Sequence, residues 1–124
     1  YALPAAIGGQ LAAPGRAGVA LLGDGGLQFT VQELATAAEL GLPLAVVIWN
    51  NDALAEIEDS MTRLGVPHVS VRPENPDFQL LAKAFNCHAH LASSLDDLKD
   101  ALKTAFRADR PTVIEVRQDS SFLE

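Results

Sequence analysis

This sequence predicts an α/β fold: a doubly wound, mostly parallel sheet with helices on both faces. Three observations carry that expectation. Residues 17–22 and 44–49 are apolar runs, the pattern of strands covered on both faces, and 112–116 reads as a final strand. Stretches with apolar residues at spacings of three and four stand between them, as in amphipathic helices. Two of the runs end in polar clusters, Gly23-Asp24-Gly25-Gly26 and Asn50-Asn51-Asp52. Open α/β sheets bind ligands beyond the carboxyl ends of their strands, where these clusters would sit.

The first helix is expected over residues 3–13. Pro4 suits its first turn, Ile7 and Leu11 lie four apart, and Gly8-Gly9 would let it lie close on a neighbouring backbone. Pro14-Gly15-Arg16 stops it, and the strand 17–22 and its glycine turn follow. Thr30 with Glu33 reads as a capping box for a helix whose stripe is Val31, Leu34, Ala35 and Ala38. Gly41 and Pro43 end that helix, and residues 44–49 form the second strand.

Residues 53–63 read as a helix with Leu54, Ile57 and Met61 on one side. Glu56, Glu58 and Asp59 form its solvated, acidic start. A loop runs from Gly65 to Pro76. Residues 77–85 are a short helix with Phe78, Leu81, Ala82 and Phe85 inward. Residues 87–91 are a strand with His88 and His90 on one face. Ser94 caps the last helix, whose stripe is Leu95, Leu98, Ala101, Leu102, Ala105 and Phe106. The last strand is 112–116, and the tail 118–124 is polar and extended. Met61 and Phe106 are read as core, and Trp49 as core or strand-end packing.

The 124 residues make one domain, 1–124, long enough to bury a sizeable core. A net charge of −7 with no basic cluster excludes nucleic acid as a partner, since phosphate neutralisation needs a basic face. A single cysteine, Cys87, rules out an internal disulfide and makes a reducing, cytoplasmic setting the expectation. No apolar run approaches the ~18 residues of a membrane span. His68, His88 and His90 are read as solvent-facing or edge residues, with no Cys/His set to complete a metal site. The opening Tyr1-Ala2-Leu3-Pro4 is no signal peptide and reads as a chain beginning inside a larger protein.

Asp24 between glycines is either a turn former or a ligand. Gly25 and Gly26 lack a Cβ, so a ligand could approach their backbone N–H groups, and a following helix would add its own. The Gly-x-Gly-x-x-Gly spacing of a dinucleotide loop is absent. Asn50-Asn51 after a hydrophobic strand is either a turn or a second donor set. The clusters are one strand-helix-strand crossover apart, so a right-handed connection puts them on the same sheet edge. One carboxylate, one amide oxygen and one backbone carbonyl make half of an octahedral oxygen shell. That set suits Mg²⁺, which takes its other ligands from phosphate and water.

Gly23-Asp24-Gly25 followed by Asn50-Asn51 resembles the cofactor motif of the thiamine-diphosphate-dependent 2-oxo acid enzymes, the acetolactate synthase and 2-oxo acid decarboxylase superfamily. The flanking segments Tyr1 to Gly8, Gly26 to Leu34 and Pro76-Asp77-Phe78 resemble its C-terminal cofactor-binding domain, and the likeness covers nearly the whole chain. The resemblance implies a thiamine-diphosphate-binding fold in which Asp24, Asn51 and the Ala53 carbonyl hold Mg²⁺. It implies that Gly25 and Gly26 hold the diphosphate, and that Leu54, Ala55 and Ile57 lie along the thiamine. Members often carry Gly at positions 53 and 55 and Tyr at 54, and some decarboxylases carry a catalytic Glu where Ile57 stands. Ile57 cannot transfer a proton, which favours an acetolactate synthase-like enzyme, decarboxylating a 2-oxo acid and ligating the remainder to a second carbonyl compound.

The resemblance further implies a homodimer or homotetramer. A Glu on a pyrimidine-binding domain, of the same or a partner subunit, would activate the cofactor. No residue of this chain is assigned as catalytic, and the 124 residues alone are expected to be inactive. Two alternatives remain open: a decarboxylase of the same superfamily acting on an arginine-derived or aromatic 2-oxo acid, and a non-catalytic Rossmann-like nucleotide-binding module.

Overall fold

The computed structural model describes residues 1–124. Its strands are β1 (Gly18–Gly23), β2 (Leu44–Asn50), β3 (His88–Leu91) and β4 (Thr112–Arg117). They form one sheet in the order β1-β2-β4-β3, parallel at every pairing. Helix α1 (Ala2–Ala12) precedes β1, and five helices connect the strands: α2 (Asp24–Gln28), α3 (Glu33–Glu39), α4 (Ala55–Leu64), α5 (Phe78–Ala84) and α6 (Leu95–Ala105). A single 3₁₀ turn, Ser121–Leu123, follows β4.

The alternation of the pleat sorts β2 between two cores. Leu44, Val46 and Ile48 face a cluster with Leu3 and Ile7 of α1, Leu27 of α2, Leu34 and Ala37 of α3 and Phe78 and Ala82 of α5. Ala45 and Val47 face the other way, with Ile114 and Val116 of β4, onto Ala101 and Ala105 of α6. Helices therefore cover both faces of a parallel α/β sheet, as the sequence predicts. The polar side chains at the carboxyl ends of β1 and β2 come to one edge because Gly23 pairs with Trp49 in register.

Local signals explain the clean element ends. Asp77 caps α5, its Oδ1 accepting from the N–H groups of Gln79 and Leu80 at 2.8 and 2.9 Å. Ser94 Oγ accepts from Asp97 N at 3.0 Å at the start of α6. Gly41 and Gly65, with φ of 60° and 65°, end α3 and α4 in the left-handed conformation. Cys87 is buried against Leu34, and desolvation pushes its thiol up to about 11.

Several expectations fail for physical reasons. The turn after β1 is a one-turn helix, α2, so Thr30 follows a helix instead of opening one. Its hydroxyl is buried without a partner, and Glu33 bonds Thr36 instead, so no capping box forms. A Cβ on Gly8 or Gly9 would meet nothing within 4 Å, so these glycines make no close backbone contact. Val19 and Leu21 are 50% and 66% exposed, because α6 lies over β2 and β4 and leaves that face of β1 open. Helix α4 buries none of its residues, and Met61 is half-buried instead of core. Phe106 is half-buried at the rim of the α6 core. Phe122 of the tail packs on that same core, so the tail is not extended.

Candidate functional site

Asp24 begins α2 directly after the last residue of β1, which places its carboxylate at the carboxyl edge of the sheet. It is 3% exposed. Its Oδ1 accepts from Gly25 N at 2.9 Å and its Oδ2 from Asn75 Nδ2 at 2.6 Å. No cationic side chain touches it.

The second cluster ends β2. Asn50 is 3% exposed; its amide donates to Glu115 Oε1 at 2.8 Å, and its Oδ1 accepts from Asp52 N at 3.1 Å. Asp52 takes a left-handed conformation, φ 52°, which sharpens the turn out of the strand. Asn51 Oδ1 accepts from Ala53 N at 3.2 Å, leaving one lone pair on that oxygen. Leu54 N donates to Val71 O at 2.7 Å and so ties the site to the loop before α5. Arg117, on the last residue of β4, bonds Asp52 and Asp119, and these carboxylates, Asp119 foremost, hold its guanidinium above its ordinary range.

Asp24, Gly25 and Gly26 from one side and Asn51, Ala53, Leu54, Ala55 and Ile57 from the other line one cleft of about 310 Å³. Trp49 and Glu56 complete its rim. The side-chain oxygens of Asp24 and Asn51 keep separate protein partners within it. A Cβ on Gly26 would meet nothing within 4 Å, whereas one on Gly25 would stand 2.8 Å from Leu54 Cδ2. The glycine turn thus offers open backbone to the cleft at Gly26 and a close leucine at Gly25. Trp49 is 38% exposed at the strand end, its indole N–H donating to Gln118 Oε1.

Three residues absent from the sequence-based reading belong to the site's polar network, Asn75, Gln28 and Glu115, and Asn50, read there with Asn51, joins them. Asn75 Nδ2 reaches Asp24, Asp52 and Asn50, and Gln28 Nε2 donates to Asn75 Oδ1. Glu115 joins Asn50 to Gln79. Only an Asn in a loop, directly before Pro76, hinted at Asn75, and its partners lie up to 51 residues away in the chain.

The largest concavity, about 620 Å³, lies elsewhere, between β3 and α6. It contains none of these residues. Four of its charged or titratable groups are paired, His90 with Asp97 at 2.9 Å and Lys103 with Asp100 at 2.8 Å, His88 bonds Asp109 beside it, and Arg107 also lines it. His68 bonds Thr62 and Glu58 on the surface. No three His, Cys, Asp or Glu side chains are grouped to hold a metal, and no helix is long and apolar enough to cross a membrane.

Residues 1–116 match the family model described as the thiamine pyrophosphate enzyme, C-terminal TPP binding domain. The chain is 49% identical over 118 residues to the probable 2-ketoarginine decarboxylase AruI of Pseudomonas aeruginosa, covering 94% of this chain and 21% of that protein. It is 34% identical over 121 residues to the acetolactate synthase isozyme 2 large subunit of Escherichia coli, covering 96% of this chain and 22% of that one. The fold superposes on the thiamine diphosphate-dependent 4-hydroxybenzoylformate decarboxylase of Rhodococcus jostii with a TM-score of 0.86 and 32% identity, over 94% of this chain and 22% of that chain. The chain therefore spans about one fifth of the length of the curated relatives it matches.

Proposed function

The chain belongs to the thiamine pyrophosphate enzymes, as their C-terminal TPP binding domain, and from that premise we infer that its cleft holds the diphosphate end of the cofactor through Mg²⁺. Asp24 carries this reading: a carboxylate 3% exposed, lining a cleft, met by one amide and one peptide N–H and by no cationic side chain. A buried carboxylate in that setting is short of positive charge. The oxygens around it are hard donors, the kind Mg²⁺ takes.

Asp24, Asn51 and the Ala53 carbonyl would hold the ion. The N–H groups of Gly25 and Gly26 would hold diphosphate oxygens, with Gly26 open enough for a close approach. Leu54, Ala55 and Ile57 would shield the ring side of the cofactor from water. When bound, thiamine diphosphate supplies the electron sink that lets a 2-oxo acid lose CO₂. This chain binds and orients; Ile57, at the cleft, has no proton to give or take. The proton chemistry then falls to a Glu of a pyrimidine-binding domain, of the same or a partner subunit, in a homodimer or homotetramer.

Two fates of the decarboxylated substrate are each favoured by one observation. Ile57 favours ligation to a second carbonyl compound, as in an acetolactate synthase. The 49% identity to a probable 2-ketoarginine decarboxylase favours simple decarboxylation of an arginine-derived 2-oxo acid. Full-length enzyme given pyruvate or 2-ketoarginine, with CO₂ and acetolactate measured, separates them. Calorimetry on the same protein tests the shared reading. Thiamine diphosphate with Mg²⁺ should bind, and Asp24→Ala should abolish the binding; unchanged binding in that variant rejects the site.

A further inference from the structure

Asn75 is the point on which the oxygens of the site converge. It lies in the loop between α4 and α5, just ahead of Pro76 and the capping residue Asp77. Its Nδ2 stands 2.6 Å from Asp24 Oδ2, 3.1 Å from Asp52 Oδ1 and 3.2 Å from Asn50 Oδ1. Its own Oδ1 accepts from Gln28 Nε2 at 3.1 Å, which fixes which end of the amide faces the carboxylates. An amide nitrogen carries two protons, so three acceptors, two of them carboxylates, share a donor that is one proton short. The shortest of the three contacts goes to Asp24, the most deeply buried acid.

We propose that Asn75 is a positioning residue for the cation: its amide fixes the rotamer of Asp24, presenting the carboxylate to Mg²⁺, and keeps Asp52 turned toward the same point. This rests on the reading of Asp24 as a metal ligand. The physical logic is that of an outer hydrogen bond that orients a metal-binding carboxylate and sets its basicity. Asp24 Oδ1 is steadied only by the N–H of its own neighbour, Gly25. Removing the Asn75 amide frees the other oxygen and leaves Asp24 and Asp52 to repel each other without a shared donor.

The test is Mg²⁺ titrated calorimetrically into full-length apoenzyme at a fixed, saturating thiamine diphosphate concentration. Asn75→Ala should weaken Mg²⁺ binding by about tenfold or more, the size of effect seen when outer-shell partners are lost. With Mn²⁺, which takes the same oxygen ligands, the spin-resonance spectrum of the bound ion should differ between Asn75→Ala and the parent, because the carboxylate that meets the ion is no longer held in place. A purely structural role for the loop would lower thermal stability and leave that spectrum unchanged. Parent-like Mg²⁺ affinity in Asn75→Ala, or a parent-like Mn²⁺ spectrum, overturns the proposal. Loss of Mg²⁺ in Asp24→Ala alongside either result would overturn the Asn75 role alone; parent-like Mg²⁺ binding in Asp24→Ala overturns both readings.

Discussion

At the scale of single residues, the two glycines after Asp24 divide the labour of one turn. Gly25 lies against Leu54 Cδ2, so a methyl there must push a leucine aside. Gly26 has open space where a Cβ would go, and it sits inside α2 without a positive φ. Alanine at position 26 fits the fold and lowers the entropy of the unfolded chain. Gly26→Ala should leave thermal stability unchanged or raise it by up to about 1 kcal/mol, since Ala outranks Gly in a helix. On the cofactor reading it should still weaken thiamine diphosphate, because the methyl fills the space a diphosphate would enter. Thermal unfolding and calorimetry on the same variant give both answers; weakened folding with unaltered binding would reverse the assignment.

At the scale of elements, the parts that local chemistry determines were legible in the sequence. Ser94 caps its helix as read, because a cap needs only a short polar side chain and the next turn of backbone, and Asp77, read as the first residue of its helix, is its cap. The β2 run is visible because Leu44 to Ile48 is buried on both faces. The capping box expected at Thr30 does not form, because a one-turn helix, α2, precedes it and follows no periodicity that the sequence could show. Among the site residues, Asp24 and Asn51 stood out by type and position. Asn75 did not, because its meaning comes from a loop folding back on residues far away in the chain.

Asp97, at the start of α6, shows how one element couples to pH. The N–H and hydroxyl of Ser93, with a smaller share from His90, hold its carboxyl below the ordinary 3.8. A depressed carboxyl stabilises the fold fully above its unfolded pKa and loses that contribution as pH falls through the folded one. Asp97→Asn should therefore reduce the drop in urea midpoint seen on acidification from about pH 7 to about pH 3. An unchanged drop would show that this cap is not among the groups that set the acid limb.

At the scale of the whole molecule, the sheet is finished on one side and open on the other. The face of β1 carrying Val19 and Leu21 has no helix over it, and β1 is an edge strand. Hydrophobicity alone announced a covered strand; it does not say whether the cover belongs to the same 124 residues. Exposed apolar edge strands invite pairing between copies. The 124-residue chain alone should self-associate as its concentration rises, and Val19→Thr with Leu21→Thr should suppress this. Because both side chains are half or more exposed, each change should cost no more than about 0.5 kcal/mol. Sedimentation at several loading concentrations measures the first effect and urea unfolding the second; self-association equal to the parent's would place the sticky surface elsewhere.

The strand order also sets a timetable. β4, the last of these four strands in chain order, inserts between β2 and β3 and is the sole partner of β3. Until residue 117 has left the ribosome, His88–Leu91 has no ladder to join and half of β2 has unpaired peptide groups. Arg117, which holds Asp52, is the final residue of that inserting strand. β3 is therefore made before the strand it pairs with, and the site acquires its Arg117 anchor only once β4 has emerged.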